Sequence, residues 1–117
     1  MFLAACSKNK EQVLLSPAEF QTKYKETANA ILLDVRTPEE IAIDRVENSR
    51  SIVFNDSFAD NIGNLEHQPL FVYCASGKRS AKAAAILRSK GYENVYELEG
   101  GLGAWKEADL PVDSSPR

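Results

Sequence analysis

Only two cysteines, Cys6 and Cys74, occur among the 117 residues, and they stand far apart in the chain. A small domain stapled by disulfides carries more of them at close spacing, so this fold has to rest on its hydrophobic core. There is one histidine, His67, and no cluster of Cys, His and carboxylate at ligand spacing, which leaves too few donors for a zinc site. No metal or other cofactor is expected. No apolar run approaches the roughly 18 residues that cross a bilayer as a helix, so the body of the protein is expected to be water-soluble. Positive charge is short as well: 14 Lys and Arg against 17 Asp and Glu give a formal charge of −3. Without a broad basic surface to neutralise a phosphate backbone, nucleic acid is not expected as a partner. Six Gly, five Pro and no internal repeat exclude collagen-like, repeat and disordered classes.

What is present is an ordinary globular composition, 44% hydrophobic and 26% charged. The length gives one domain, since domains run to roughly 100 to 200 residues. Three parts are expected: residues 1–11 as a remnant signal and polar tether, 12–112 as the domain, and 113–117 as a polar, disordered tail. Leu3-Ala4-Ala5-Cys6 followed by polar residues resembles the bacterial lipobox, in which Cys6 would become lipid-modified. Only five residues precede Cys6, fewer than a secretory signal needs, so the signal would be truncated. That reading makes the protein a periplasmic or envelope lipoprotein attached through Cys6. The alternative is a cytoplasmic protein with a frayed N-terminus.

Short β-favouring runs alternate with helix-like segments. Ser16-Pro17-Ala18-Glu19 and Thr37-Pro38-Glu39-Glu40 each set a hydroxyl at the cap, proline first in the helix and glutamate three after the cap, which predicts helices over 17–26 and after residue 37. Strands are expected at 12–15, 31–35, 51–54, 70–73 and 94–98, and further helices at 56–62, 80–90 and 101–108. Ala81, Ala84 and Ala85 are expected to form the close-packing face of the helix over 80–90. Strands apolar on both faces and separated by helices indicate an α/β fold, a five-stranded parallel sheet flanked by helices on both sides. Ligands in such folds bind beyond the carboxyl ends of the strands, which directs attention to the loops after Val35 and Tyr73.

The second loop is the more informative. Cys74-Ala75-Ser76-Gly77-Lys78-Arg79-Ser80 lies between a buried strand and a helix start. A thiolate there meets unpaired backbone N–H groups, the positive end of a helix dipole and two cationic side chains, and all three favour the anion. Gly77 lets successive N–H groups turn inward as an anion-binding nest. Asp34 and Arg36 end the second strand and read as a pair bracing the adjoining loop, with direct substrate contact as the alternative. Trp105 reads as core, His67 as a surface residue, and Tyr73 as pointing into a sheet face.

Cys-x-x-Gly-x-Arg-Ser, here residues 74–80, resembles the active-site loop of rhodanese-like sulfurtransferases. Leu33-Asp34-Val35-Arg36-Thr37-Pro38-Glu39-Glu40 resembles that family's other signature, and Glu99-Gly100-Gly101 with Trp105 and Pro111 its C-terminal segment. The resemblance covers about residues 12–112 and implies a single rhodanese domain. Two departures stand out. Asp44-Arg45-Val46-Glu47-Asn48-Ser49 replaces the family's common Gly-His-Ile and small-residue turn, and Asp109 stands where glycine is common and is expected to alter a turn.

The resemblance implies transfer of a sulfane sulfur through a Cys74 persulfide, from a small anionic donor such as thiosulfate to a thiol or cyanide. Arg79, with Lys78 assisting, would hold the donor's oxygens, and the backbone of residues 75–80 would cradle the persulfide. A persulfide carrier needs the same loop, so enzyme and carrier both stay open, as does a binding module that has lost turnover. Phosphatases and arsenate reductases of related fold use a Cys-x5-Arg loop, whereas four residues separate Cys74 from Arg79 here, a narrower cradle. A monomer is expected.

Overall fold

A computed structural model of the chain describes residues 12–117. The expected tether and the anchor at Cys6 lie outside the described residues. Among the described residues five strands alternate with five helices: β1 (Leu14–Leu15), α1 (Pro17–Glu26), β2 (Ile31–Asp34), α2 (Pro38–Ile43), β3 (Arg50–Ser51), α3 (Phe58–Asn61), β4 (Leu70–Tyr73), α4 (Lys78–Ser89), β5 (Val95–Leu98) and α5 (Gly101–Glu107). The sheet is parallel throughout, in the order β1-β5-β4-β2-β3. Both capping boxes form, with Ser16 and Thr37 accepting from the N–H groups of Glu19 and Glu40, whose carboxylates reach back to the cap N–H.

The pleat divides the core into two layers, because successive side chains of a strand face opposite ways. Ile31, Leu33, Val35, Leu70, Val72 and Cys74 pack on one side with Phe58 and Ile62 near α3 and with Ala83, Ala84 and Leu87 of α4. Leu32, Phe71, Tyr73, Tyr96 and Leu98 pack on the other with Phe20 of α1 and with Leu102 and Trp105 of α5. Phe20 stands edge-on to both Phe71 and Trp105, at ring separations of 5.4 and 6.4 Å. Such aromatic pairs contribute roughly 0.5–1.5 kcal/mol each beyond their buried area. Trp105 also donates from Nε1 to the Pro111 carbonyl at 2.9 Å, and exposed His67 stacks on Tyr92.

Several local expectations need correction. The buried face of α4 is Ser80, Ala83, Ala84 and Leu87, while Ala81 and Ala85 are exposed. The helix also starts two residues earlier than expected, and the stripe that faces the sheet is the i, i+3, i+4, i+7 set from Ser80, with Ala84 the one alanine shared with the expected face. The strand expected at 51–54 shrinks to β3, although Ile52 and Phe54 still donate to the carbonyls of Asp34 and Val35. The helix expected at 56–62 is the four-residue α3. Asp109 adopts the left-handed φ of 60° that a glycine would take more readily, and α5 closes with Asp109 and Leu110 donating to the Lys106 and Trp105 carbonyls. An ordinary helix-ending turn is therefore kept.

The tail is docked rather than loose. Arg45 and Asp113 form an antiparallel bridge, each N–H donating to the other's carbonyl. The fully buried Arg45 side chain donates to the Ile41 carbonyl at 3.0 Å and to Ser115, and Asp113 stands 3.5 Å away. Arg45 thus ties the end of α2 to residues 113–115, a long-range contact that a run of polar residues does not advertise.

Candidate active site

The chain leaves β2 toward β3 and leaves β4 toward β5, in opposite directions across the sheet. Their carboxyl ends lie side by side, since Asp34 pairs in register with Tyr73. This is the switch point at which open α/β sheets form their crevice. The residues that follow are Arg36 and Thr37 on one side and the Cys74 loop on the other.

Cys74 continues the alternation of Leu70 and Val72, so its side chain points to the α4 side and lies under that helix's first turn. Gly77 is the N-cap of α4, at a φ of 101°, and has no side chain to satisfy the orphan N–H groups. The sulfur of Cys74 serves instead. It accepts from the N–H of Gly77 at 3.1 Å and from that of Ser80 at 3.3 Å. As a thiol it donates to Ser80 Oγ at 3.4 Å, and that hydroxyl donates to the Gly77 carbonyl at 3.3 Å. On ionisation the hydroxyl can turn and donate to sulfur. Burial works against the charged form, but hydrogen bonds from the Ser80 hydroxyl and from the N–H groups of Ser80, Ser76 and Gly77 outweigh it, and the thiol lies below its ordinary pKa. Cys74 has no exposed surface.

The two loop cations differ in their commitments. Arg79 donates through both Nη atoms to the two carboxylate oxygens of Glu40, at 2.8 and 2.9 Å. Its fork is therefore occupied by Glu40, a partner that the assignment of Arg79 to the donor's oxygens did not include. Lys78 is exposed, with no ion pair among the described residues. Glu40 was not legible as a site residue: its sequence signal is wholly accounted for by the capping box, and it performs both tasks, accepting from the Thr37 N–H at 2.9 Å as well. The hydrogen bond from Arg79 is the main reason its carboxyl titrates at about 2.

That value has a testable consequence. A carboxyl depressed from 4.5 to about 2 contributes stability that is fully present above 4.5 and lost as pH falls through the folded value. Glu40→Gln is expected to flatten the fall in melting temperature between those two pH values relative to the parent. The change is modest because each partner keeps 33% of its side-chain surface in water.

Asp34 and Arg36 form a buried pair beside the loop. Arg36 donates from its backbone N–H, at 2.9 Å, and from Nε and Nη2 to the Asp34 carboxylate, and from Nη2 to the Asp44 carbonyl at 2.7 Å. The guanidinium also lies over the Tyr73 ring. The Tyr73 hydroxyl accepts from the Val46 N–H at 3.0 Å, which straps the replaced 44–49 segment to the strand that carries Cys74. A cleft of about 490 Å³ lined by Tyr24, Val46, Trp105 and Val112 includes none of the loop residues, so its size does not make it the reactive site.

A family model described as a Rhodanese-like domain matches residues 16–108. An uncharacterized protein of Synechocystis is 34% identical over 106 residues, covering 91% of this chain and 59% of that protein, so the chain spans less than two thirds of that relative's length. The thiosulfate sulfurtransferase GlpE of Actinobacillus succinogenes is 35% identical over 92 residues, covering 77% of this chain and 81% of the relative. The crystal structure of a rhodanese-related protein from Thermoplasma volcanium superposes with a TM-score of 0.77 at 30% identity, over 89% of this chain and all of that one.

Proposed function

Since the chain belongs to the rhodanese-like domain family, we propose that it is a sulfurtransferase that moves a sulfane sulfur from a small anionic donor such as thiosulfate to cyanide or a small thiol through a persulfide on Cys74. The thiolate attacks the donor's outer sulfur. A new S–S bond forms to Cys74, the donor's own S–S bond breaks, and sulfite leaves with the electron pair. The acceptor then attacks the outer sulfur of the persulfide, and the electrons of that S–S bond return to Cys74. No separate base is needed when the nucleophile is already ionised.

The observation that carries this reading is the sulfur of Cys74 standing as the N-terminal acceptor of α4, held by two backbone N–H groups. Donors fixed around the Cys74 sulfur stabilise it as a thiolate before the first step and again after the second, and need no rearrangement while the charge passes to the outer sulfur of the persulfide in between. Because Cys74 has no exposed surface, nothing touches it without a small displacement of the rim. That recess favours a slender terminal sulfur over a bulky centre, and a small acceptor over a folded carrier partner. Lys78 supplies the uncommitted cation at the rim. Arg79, tied to Glu40, holds the edge of the loop, and any contact it makes with donor oxygens comes from the part of its guanidinium that Glu40 leaves over. Incubation with thiosulfate is expected to add the mass of one sulfur atom to the protein, and cyanide to remove it with release of thiocyanate. An unchanged mass after thiosulfate would refute the proposal.

A further inference from the structure

The back of the Cys74 loop rests on α5. The N–H of Leu102 donates to the Cys74 carbonyl at 2.8 Å and that of Gly103 to the Ala75 carbonyl at 3.1 Å. These are first-turn N–H groups with no partner inside their helix, and the N-cap, Gly100, offers no side-chain acceptor. The loop's carbonyls cap α5 just as the sulfur of Cys74 caps α4. The approach is backbone to backbone: a Cβ on Gly101, which sits at a φ of 64°, would fall 2.6 Å from the carbonyl oxygens of both Cys74 and Ala75.

Peptide planarity turns these contacts into an orientation. In a trans peptide the C=O and the N–H of the same unit point in opposite directions. Holding the Cys74 and Ala75 carbonyls against α5 therefore aims the N–H groups of Ala75 and Ser76 away from α5. The sulfur lies on that side, where it accepts from the following Gly77 and Ser80 N–H groups at 3.1 and 3.3 Å, and the Ser76 N–H adds to their pull on the thiol.

We propose that the first turn of α5 is the positioning element of the sulfur cradle: Gly103, holding the Ala75 carbonyl, fixes the Ser76 N–H toward Cys74, Leu102 pins the preceding peptide at the Cys74 carbonyl, and Gly101 is the residue that lets the helix come close enough to do so. The proposal rests on the sulfur-transfer reading only for the cradle's purpose. The geometry itself concerns an ionisable thiol, whatever that thiol reacts with.

The test reads the ionisation of Cys74 from the ultraviolet absorbance of its thiolate against pH, with Cys74→Ser as blank, and needs no sulfur donor. Gly101→Ala is expected to raise the pKa of Cys74 by about one unit, and with it to reduce the thiolate fraction below that pKa about tenfold. Gly91→Ala replaces another left-handed glycine, at a φ of 96° just after α4, and is expected to strain the fold without moving the pKa. An unmoved pKa in folded Gly101→Ala, or an equal shift in Gly91→Ala, overturns the proposal. If Gly101→Ala does not fold, the parent decides: in an NMR titration the amide proton of Ser76 is expected to shift with the ionisation of Cys74 alongside those of Gly77 and Ser80, and a Ser76 amide that ignores it overturns the proposal. Failure of thiosulfate to label the protein would instead refute the function and leave the clamp standing.

Discussion

Cys74→Ser is expected to lower kcat/KM for thiosulfate and cyanide by roughly a thousandfold or more while leaving the fold intact. A serine hydroxyl is not ionised near neutrality and cannot form a persulfide. Its oxygen is nevertheless a good N-cap acceptor, able to take over the bonds that the sulfur receives from Gly77 and Ser80. The melting temperature should therefore stay close to the parent's. Cys74→Ala makes the complementary case, because it removes the acceptor as well and leaves buried N–H groups unpaired, at a cost of about 1–3 kcal/mol. Thiocyanate formation measured beside thermal melts separates the two effects. In the parent, the rate at low pH should climb tenfold per pH unit with the thiolate fraction and level off earlier than an ordinary thiol near 8.5 would allow, since the hydrogen bonds at Cys74 pull its pKa down. Retained turnover in Cys74→Ser would place the chemistry elsewhere.

The parts of the molecule that could be read in the sequence are those whose causes are local. Each capping box names its helix start because the hydroxyl, the proline and the glutamate act within one turn. β4 is legible to the residue because a four-residue apolar run bounded by loop formers is too short for a helix and fits a doubly covered strand. The Cys74 loop was legible for the same reason: nucleophile, turn-forming glycine and helix start are consecutive. What escaped was set by partners distant in sequence. Arg45 looks like a solvated charge and is fully buried, because residues 113–115 fold over it. Arg79 looks like an open anion site and is occupied by a carboxylate 39 positions earlier. The clamp from α5 is made of main-chain atoms, and its only trace in the sequence is a glycine, Gly101, where a Cβ would collide with the loop.

The pair beside the loop carries the largest expected effect on stability. Asp34→Ala leaves the Arg36 guanidinium buried without its main partner, and Arg36→Ala does the same to the carboxylate; the two side chains are only 1% and 4% exposed. Removing one member of such a pair costs about 3–5 kcal/mol, a large share of the roughly 5–15 kcal/mol by which domains are stable. Replacing both with apolar groups of similar volume, Asp34→Leu with Arg36→Met, removes both desolvated charges together and is expected to cost far less than the two alanine variants summed. Some cost remains, because the Asp44 carbonyl loses the bond from Arg36 Nη2. Urea denaturation of the three variants measures this coupling, and additive losses would mean that the pair does not act as a unit. The same variants separate bracing from substrate contact. If Asp34 and Arg36 hold β2 against the Cys74 loop, the double variant should keep its KM for thiosulfate, with any loss confined to stability. A KM that rises in a double variant as stable as the parent would instead assign the pair to the donor's binding site.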